Sequence, residues 1–139
     1  MVNVDTVEKI IKEAETIAVV GLSSNPDRDS HRVSKYLQEQ GYRIVPVNPN
    51  VQAVLGERCY PALSEIPIPV DTVNIFRRPE YVPELVEEAV KIGAKSIWMQ
   101  IGISHPEAAH KAQEASLAVV MDRCMMVEHR RLVYEGRLT

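Results

Sequence analysis

Three side chains that can bind anions, Ser23, Arg28 and Ser30, follow the first apolar segment of the sequence. A segment with helical periodicity begins at Ser30, which is also a capping residue. Phosphate binds in proteins to hydroxyls, to guanidinium groups and to the free backbone N–H groups at the start of a helix. The spacing therefore predicts a diphosphate site in this loop, held by Ser23, Ser30 and the helix start, with Arg28 within reach.

A second group suited to anions is the basic pair Arg77-Arg78, which follows another apolar segment. Phe76, just before the pair, offers a flat face near the position of an adenine ring. A solvated turn is the alternative interpretation of the two arginines. Because parallel strands end at the same edge of a sheet, we expect the pair to add positive charge beside the diphosphate loop.

The glycine pattern of dinucleotide-binding proteins is absent from the first loop. The G-x-G-x-x-G fingerprint would need glycine at the positions of Ser23 and Pro26. At the end of the second predicted strand, where such proteins carry Asp or Glu for the ribose hydroxyls, this chain has Asn48. A carboxylate there would repel a phosphorylated ribose, whereas an amide would not. The pattern indicates nucleotide-binding architecture without its usual ligand.

Other chemistry finds less support in the sequence. A helical metal site uses two histidines spaced i, i+4 together with carboxylates. No two of the four histidines have that spacing, so we predict no metal site. Ser23 and Ser24 lack the G-x-S-x-G context of a nucleophile. Cys59 and Cys124 are too few for a disulfide framework, and we expect free thiols. Cys124 is either a small buried side chain or, beside the cation of Arg123, a reactive thiol.

The elements that must position these side chains alternate between strand and helix. Strand-like apolar segments cover residues 17–21, 43–47, 70–76, 95–100 and 117–121, and helical periodicity covers residues 4–14, 30–40, 79–93 and 105–116. We predict an α/β fold: a Rossmann-like doubly wound five-stranded parallel sheet in the order 3-2-1-4-5, with helices on both faces. Its crevice should lie at the carboxyl ends of the first and fourth strands.

Three local features complete the predicted organisation. Residues 51–69 indicate a hairpin-like excursion with a short helical turn near Leu63. Ser104 to Glu107 reads as a capping box at the start of the last predicted helix. The tail from Met125 onward is expected to dock on the domain through its first residues and to end in a polar, frayed terminus.

Composition restricts the class of protein. The 139 residues are 45% apolar and 25% charged, which predicts a single domain over residues 1–139. A net charge of −3 argues against a nucleic-acid partner. The apolar runs are too short to span a membrane and the first residues are unlike a signal peptide, so we expect a cytoplasmic protein without membrane contacts.

Five ordered stretches of the chain resemble the small stand-alone CoA-binding proteins, whose fold is that of the amino-terminal CoA-binding domain of the succinyl-CoA synthetase α subunit. The resemblance covers residues 7–132. The stretches are Gly21-Leu22-Ser23 with Pro26, Arg28 and Ser30; Val45-Pro46-Val47-Asn48-Pro49; Phe76-Arg77-Arg78-Pro79 with Val82-Pro83; Trp98-Met99-Gln100-Ile101-Gly102; and Val120-Met121-Asp122-Arg123-Cys124-Met125 with Glu128-His129.

The resemblance implies a coenzyme A (CoA) site across the carboxyl edge of the sheet, with each motif at one part of the ligand. The residues implied around the diphosphate are Gly21, Leu22, Ser23, Arg28 and Ser30. Those along the adenosine are Val47, Asn48 and Pro49, where the absence of an acid suits the 3′-phosphate. Those beside the adenine and phosphates are Phe76, Arg77, Arg78 and Val82, and those towards the pantetheine are Gln100, Ile101 and Gly102.

The leading hypothesis is a stand-alone module that binds CoA or acyl-CoA. It lacks the phosphohistidine and nucleotide-grasp domains of the related ligases, so we expect no complete catalytic machinery. An NAD(P)-linked oxidoreductase or a small CoA-transferring enzyme at the same edge is the alternative. A third hypothesis is a sensor in which Cys124 forms a mixed disulfide with CoA. The acyl group, the physiological partner protein and a homo-oligomeric state stay open at this stage.

Overall fold

Five strands form one parallel sheet in the computed structural model, which describes residues 4–138. The strands of the whole fold are β1 (Thr16–Val20), β2 (Arg43–Val47), β3 (Ala53–Val54), β4 (Glu57–Arg58), β5 (Thr72–Ile75), β6 (Ser96–Met99) and β7 (Ala118–Val120). The helices are α1 (Val4–Glu13), α2 (Asp29–Glu39), α3 (Val82–Lys91), α4 (Pro106–Glu114) and α5 (Met125–Tyr134). Short 3₁₀ turns cover Leu63–Glu65 and Pro79–Tyr81.

The strands of the sheet are buried on both faces, which explains their nearly continuous apolar sequence. In β1, Ile17 and Val19 pack into the core beneath α1, α2 and α5, while Ala18 and Val20 pack into the core beneath α3 and α4. The prediction of a Rossmann-like parallel α/β sheet with helices on both faces is therefore confirmed.

The position of the third long strand corrects the expected strand order. The sheet runs β2-β1-β5-β6-β7, so counting only its five strands along the chain gives 2-1-3-4-5 in place of 3-2-1-4-5. The edge of β2 is already covered, because Tyr60 donates its N–H to the Pro46 carbonyl at 3.0 Å and accepts from the Asn48 N–H at 2.9 Å. The next strand therefore pairs with β1 on its other side, and the reversal of strand order lies between β1 and β5.

The excursion between β2 and β5 forms the expected hairpin. Strands β3 and β4 pair antiparallel, and the two residues between them, Leu55 and Gly56, have φ values of +54° and +76°. Positive φ at both central residues is the geometry of a type I′ turn.

Helix α5 begins the tail, which docks through its first residues as expected, although the helix itself was not predicted. Its buried positions are Met125, Glu128, His129 and Leu132, a spacing of one helical face. Two of the four are polar, so the apolar pattern that would have indicated a helix is broken. Burial lowers the pKa of His129, whose Nδ1 lies 2.8 Å from the Tyr36 hydroxyl on α2.

Helix α4 starts one residue later than the predicted capping box. The ring nitrogen Nδ1 of His105 accepts the Ala108 N–H at 3.1 Å, so His105 is the capping residue. Ser104 instead places its hydroxyl 3.6 Å from the Met121 sulfur.

Of the helices within residues 4–138, none is long and apolar enough to cross a membrane.

Asp71, which precedes β5, forms hydrogen bonds to the amino ends of β1 and β6. Its carboxylate accepts the N–H groups of Glu15 and Thr16 at 3.0 and 2.9 Å, and its carbonyl accepts those of Lys95 and Ser96 at 2.8 and 3.0 Å. Partial burial raises the pKa of Asp71, but these N–H donors to the carboxylate and the Lys95 ammonium outweigh it and hold that pKa below its usual value.

We predict that Asp71→Asn lowers the free energy of unfolding at pH 7 by about 1–2 kcal/mol, since hydrogen bonds to an ionised group are lost. A carboxyl group whose pKa is lowered by folding stabilises the protein above its unfolded pKa, and this contribution is lost as the pH falls below about 4. Urea unfolding at pH 7 and pH 3 measures both effects. Glu87→Gln, at an exposed carboxylate on α3, is the matched control, and a deficit of Asp71→Asn that stays the same at pH 3 would contradict the assignment.

Candidate functional site

Two adjoining cavities form a groove along the carboxyl edge of the sheet. The first cavity, of about 590 Å³, lies over the loop that follows β1. The second cavity, of about 490 Å³, lies over the ends of β5 and β6 and reaches α5. Asp29, Phe76 and Arg77 line both cavities. The groove therefore follows the reversal of strand order, where parallel α/β sheets place their ligands.

The chain leaves β1 through Gly21, where no other residue fits. Gly21 has a φ of +87°, and a Cβ atom built there would lie 2.5 Å from the carbonyl oxygen of Phe76. Glycine is tolerated because it adopts positive φ without strain and lets two backbones approach closely. This approach brings the loop after β1 and the Phe76-Arg77 segment to the same groove.

The loop between Gly21 and α2 is held by short side-chain bonds to its backbone. The buried hydroxyl of Ser30 accepts the Ser23 N–H at 3.0 Å, and the Ser23 hydroxyl accepts the Asn25 N–H at 3.0 Å. Arg28 stands at the N-cap position of α2, is exposed and pairs with no carboxylate among residues 4–138. The predicted diphosphate residues Ser23, Arg28 and Ser30 thus lie together in the first cavity.

Asn48 and Pro49 line the same cavity. The Asn48 amide donates to the Leu22 carbonyl at 3.1 Å and accepts the Asn50 N–H at 2.9 Å. Both ends of the amide therefore bind the protein itself. What Asn48 offers to a ligand is the absence of negative charge at this point of the groove.

Of the charged residues at this part of the groove, some form close ion pairs and others do not. Asp29 forms an ion pair with Arg32 on the same helix. The Arg77 guanidinium lies over the ring of Tyr81, 4.2 Å from its centre, and Arg78 is exposed, with Glu80 3.8 Å away. The arginine pair of the sequence analysis is therefore at the groove, and stacking fixes the orientation of Arg77.

At the far end of the groove, the second cavity is lined by Gln100, Ile101 and Gly102. Gln100 is 4% exposed and donates from Nε2 to the Oδ1 atom of the buried Asn74 at 2.8 Å. The Gly102 N–H donates to the Asp122 carboxylate at 2.7 Å, while the side chain of Ile101 is 68% exposed. One polar group and one apolar side chain thus face this part of the groove.

Three residues named by the resemblance have side chains in the core. Leu22, Val47 and Val82 are exposed by 0%, 4% and 0%. The carbonyls of Leu22 and Val47 accept bonds from Asn48 and from Gly21. Their side chains therefore pack in the core beneath the groove and are not exposed to a ligand.

Several groove residues were missed by the sequence analysis. Asp29, Met126 and Val127 line the second cavity, and the ring of Tyr81 stacks under the Arg77 guanidinium. Arg77 precedes the Pro79–Tyr81 turn, so no helical spacing in the sequence indicated the stacked pair. Met126 and Val127 had no signal either, since they reach the groove only because residues 125–134 form a helix.

A parallel sheet whose first strand leads through a polar loop to a helix start, with arginines along its carboxyl edge, is the architecture of nucleotide-binding domains of Rossmann-like fold. Comparison with protein families narrows that class. The sequence pattern of the CoA binding domain matches residues 15–130, and the chain belongs to this CoA-binding domain family.

Relatives of similar size and much longer relatives both match. YneT of Bacillus subtilis (strain 168) is 43% identical over 123 residues, 88% of this chain and 91% of YneT. A solved structure of a hypothetical protein from Pyrococcus horikoshii OT3 has 43% identity and a TM-score of 0.90, covering 95% of this chain and 93% of that one. The ADP-forming acetate–CoA ligase II of Archaeoglobus fulgidus is 32% identical over 83 residues, which are 58% of this chain and 12% of the ligase.

We predict that Gly21→Ala destabilises the protein far more than Gly41→Ala. Both glycines have positive φ, but nothing lies within 4 Å of a Cβ atom at Gly41. Gly41→Ala should cost about 1–2 kcal/mol for its backbone conformation, and Gly21→Ala about 1–3 kcal/mol more for the clash with Phe76. Thermal and urea unfolding of the two variants measure the difference, and equal losses would show that the close approach has no energetic consequence.

Proposed function

We propose that this protein binds CoA or acyl-CoA in the groove as a stand-alone module, with no complete catalytic machinery of its own. The observation that carries the proposal is the change of chemistry along one continuous groove. Hydroxyls, a helix start and an unpaired Arg28 line the first cavity. The second cavity shares Asp29 and Arg77 with it and adds Arg32 and Arg78, and the rest of its lining is mainly apolar with the buried amide of Gln100. A ligand with a phosphorylated nucleotide at one end and a less polar arm at the other matches this order.

The diphosphate is assigned to the start of α2. Ser23, Ser30 and the positive end of the helix dipole lie there, with Arg28 at the N-cap position. The charge of Asp29 beside it is offset by the ion pair with Arg32.

The adenosine with its 3′-phosphate is assigned to the side of the groove near Asn48, Pro49 and Phe76. A carboxylate at Asn48 would oppose that phosphate, and the neutral amide does not. Arg77 and Arg78 supply the positive charge nearby. The pantetheine arm then extends over Gln100, Ile101 and Gly102.

Membership of the CoA-binding domain family supports this assignment. The acetate–CoA ligases similar to this chain are much longer, and it spans 12% of the first of them. We assign no catalytic residue to the groove, and a ligase reaction is not part of the proposal. An NAD(P)-linked oxidoreductase or a CoA-transferring enzyme would use the same edge, and the choice of ligands below separates the first of these from the proposal.

Calorimetric titration of the reduced protein with CoA, dephospho-CoA and NAD tests the proposal directly. We expect CoA to bind at micromolar concentrations, a free energy of about −8 kcal/mol, and removal of the 3′-phosphate to weaken binding. Binding of NAD with no preference for CoA would overturn the proposal in favour of a dinucleotide-binding domain.

We predict that Arg28→Ala weakens CoA and dephospho-CoA by the same factor, because both ligands carry the diphosphate that Arg28 faces. Loss of a hydrogen bond between charged groups corresponds to about tenfold or more in the dissociation constant. Arg43→Ala is the matched control, since Arg43 is equally exposed but starts β2 at the opposite edge of the sheet. Equal weakening by the two variants would indicate a general charge effect and would reject the diphosphate assignment.

We predict that Asn48→Asp weakens CoA about tenfold more than it weakens dephospho-CoA, because the new carboxylate repels the 3′-phosphate alone. The variant also loses the donor to the Leu22 carbonyl, but that loss affects both ligands equally. In a titration of the variant with both ligands, the affinity for dephospho-CoA is therefore the control for the affinity for CoA. If both affinities fall by one factor, the 3′-phosphate does not lie near Asn48.

A further inference from the structure

The two free cysteines of the chain have opposite surroundings. Cys59 is buried, its thiol donates to the Asn48 carbonyl at 3.4 Å, and burial raises its pKa. Cys124 is partly exposed, immediately precedes α5 and makes no side-chain bond at that helix start. It lines both the second cavity and a third cavity of about 500 Å³, and Ile101 and Val127 also line both. Cys124 is therefore the cysteine that a ligand in the groove can meet.

A second feature of the same cavity points to a bound ligand independently of the cysteine. The side chain of Gln100 is almost completely buried, and its Nε2 is used by Asn74. Its Oε1 accepts no hydrogen bond from any residue between 4 and 138, yet the atom is not sealed from the cavity that Gln100 lines. An acceptor that no residue uses and that reaches the cavity suits this end of the groove to a ligand that donates an N–H group.

We infer that Cys124 exchanges disulfides with the disulfide form of CoA and holds the coenzyme as a mixed disulfide. The inference rests on the proposed function, since CoA must lie in the groove with its pantetheine arm along Gln100. The amide N–H groups of that arm are donors of the kind Gln100 Oε1 lacks. The arm ends in sulfur, and Cys124 lines the cavity into which it extends.

The exchange is balanced without any further oxidant. The Cys124 thiolate attacks one sulfur of the CoA disulfide, a sulfur–sulfur bond forms between Cys124 and one CoA, and the original sulfur–sulfur bond breaks. The second CoA leaves as a thiolate. Cys124 is oxidised and the departing CoA is reduced, so reduced thiol in excess reverses the reaction.

Intact-mass spectrometry of the full chain, first reduced and then freed of reductant, tests the inference. The protein is incubated at pH 8 with CoA disulfide and, in parallel, with glutathione disulfide. We expect one CoA adduct on the wild type and on Cys59→Ser, and none on Cys124→Ser or Cys124→Ala. Because binding raises the local concentration of the coenzyme, its disulfide should react at least about tenfold faster than glutathione disulfide.

Three results would overturn the inference: an adduct on Cys59, an adduct that persists in both Cys124 variants, or equal rates with the two disulfides. Circular dichroism and thermal unfolding of the variants show that a missing adduct is not a folding failure. Titration of the reduced wild type with reduced CoA separates the inference from the proposed function. Binding of reduced CoA without adduct formation removes only the disulfide exchange, whereas absence of binding removes the proposed function itself.

Discussion

The contact between Gly21 and the carbonyl of Phe76 is the constraint on which the groove depends. β1 lies between β2 and β5, and the chain leaving it must pass over the end of β5 to reach α2. The N–H of Gly21 is still bonded to Val47 at 2.8 Å, and that of Phe76 to Val20 at 2.9 Å. The strands therefore separate only beyond these bonds, and a backbone without a Cβ atom is what allows the crossing.

The two edges of the sheet differ in what their polar groups are bonded to. At the amino edge, the carboxylate and the carbonyl of Asp71 bind the starts of β1 and β6, so the acceptors of Asp71 are used within the protein. At the carboxyl edge, Arg28 and the Oε1 atom of Gln100 have no partner among residues 4–138. The guanidinium of Arg28 and the Oε1 atom of Gln100 are therefore available to a ligand in the groove.

Helix α5 completes the groove and packs against α2, which lines the same groove. Met126 and Val127 line the second cavity, while His129 on the same helix meets Tyr36 of α2. The loop after β1 and helix α5 thus lie at the two ends of one groove.

The sequence by itself determined the elements and the chemistry at their ends. Periodicity located the five strands of the sheet, and the residues after them carried the hydroxyls, the arginines and the neutral Asn48 that now line one groove. The resemblance of its motifs pointed to the CoA-binding family, which the family match confirms. The tertiary structure alone decided that β5 lies beside β1, that residues 125–134 form a helix, and that Leu22, Val47 and Val82 are buried. Capping and periodicity act over a few neighbouring residues, whereas the free edge of β2 was taken by Tyr60, whose position depends on contacts between distant segments.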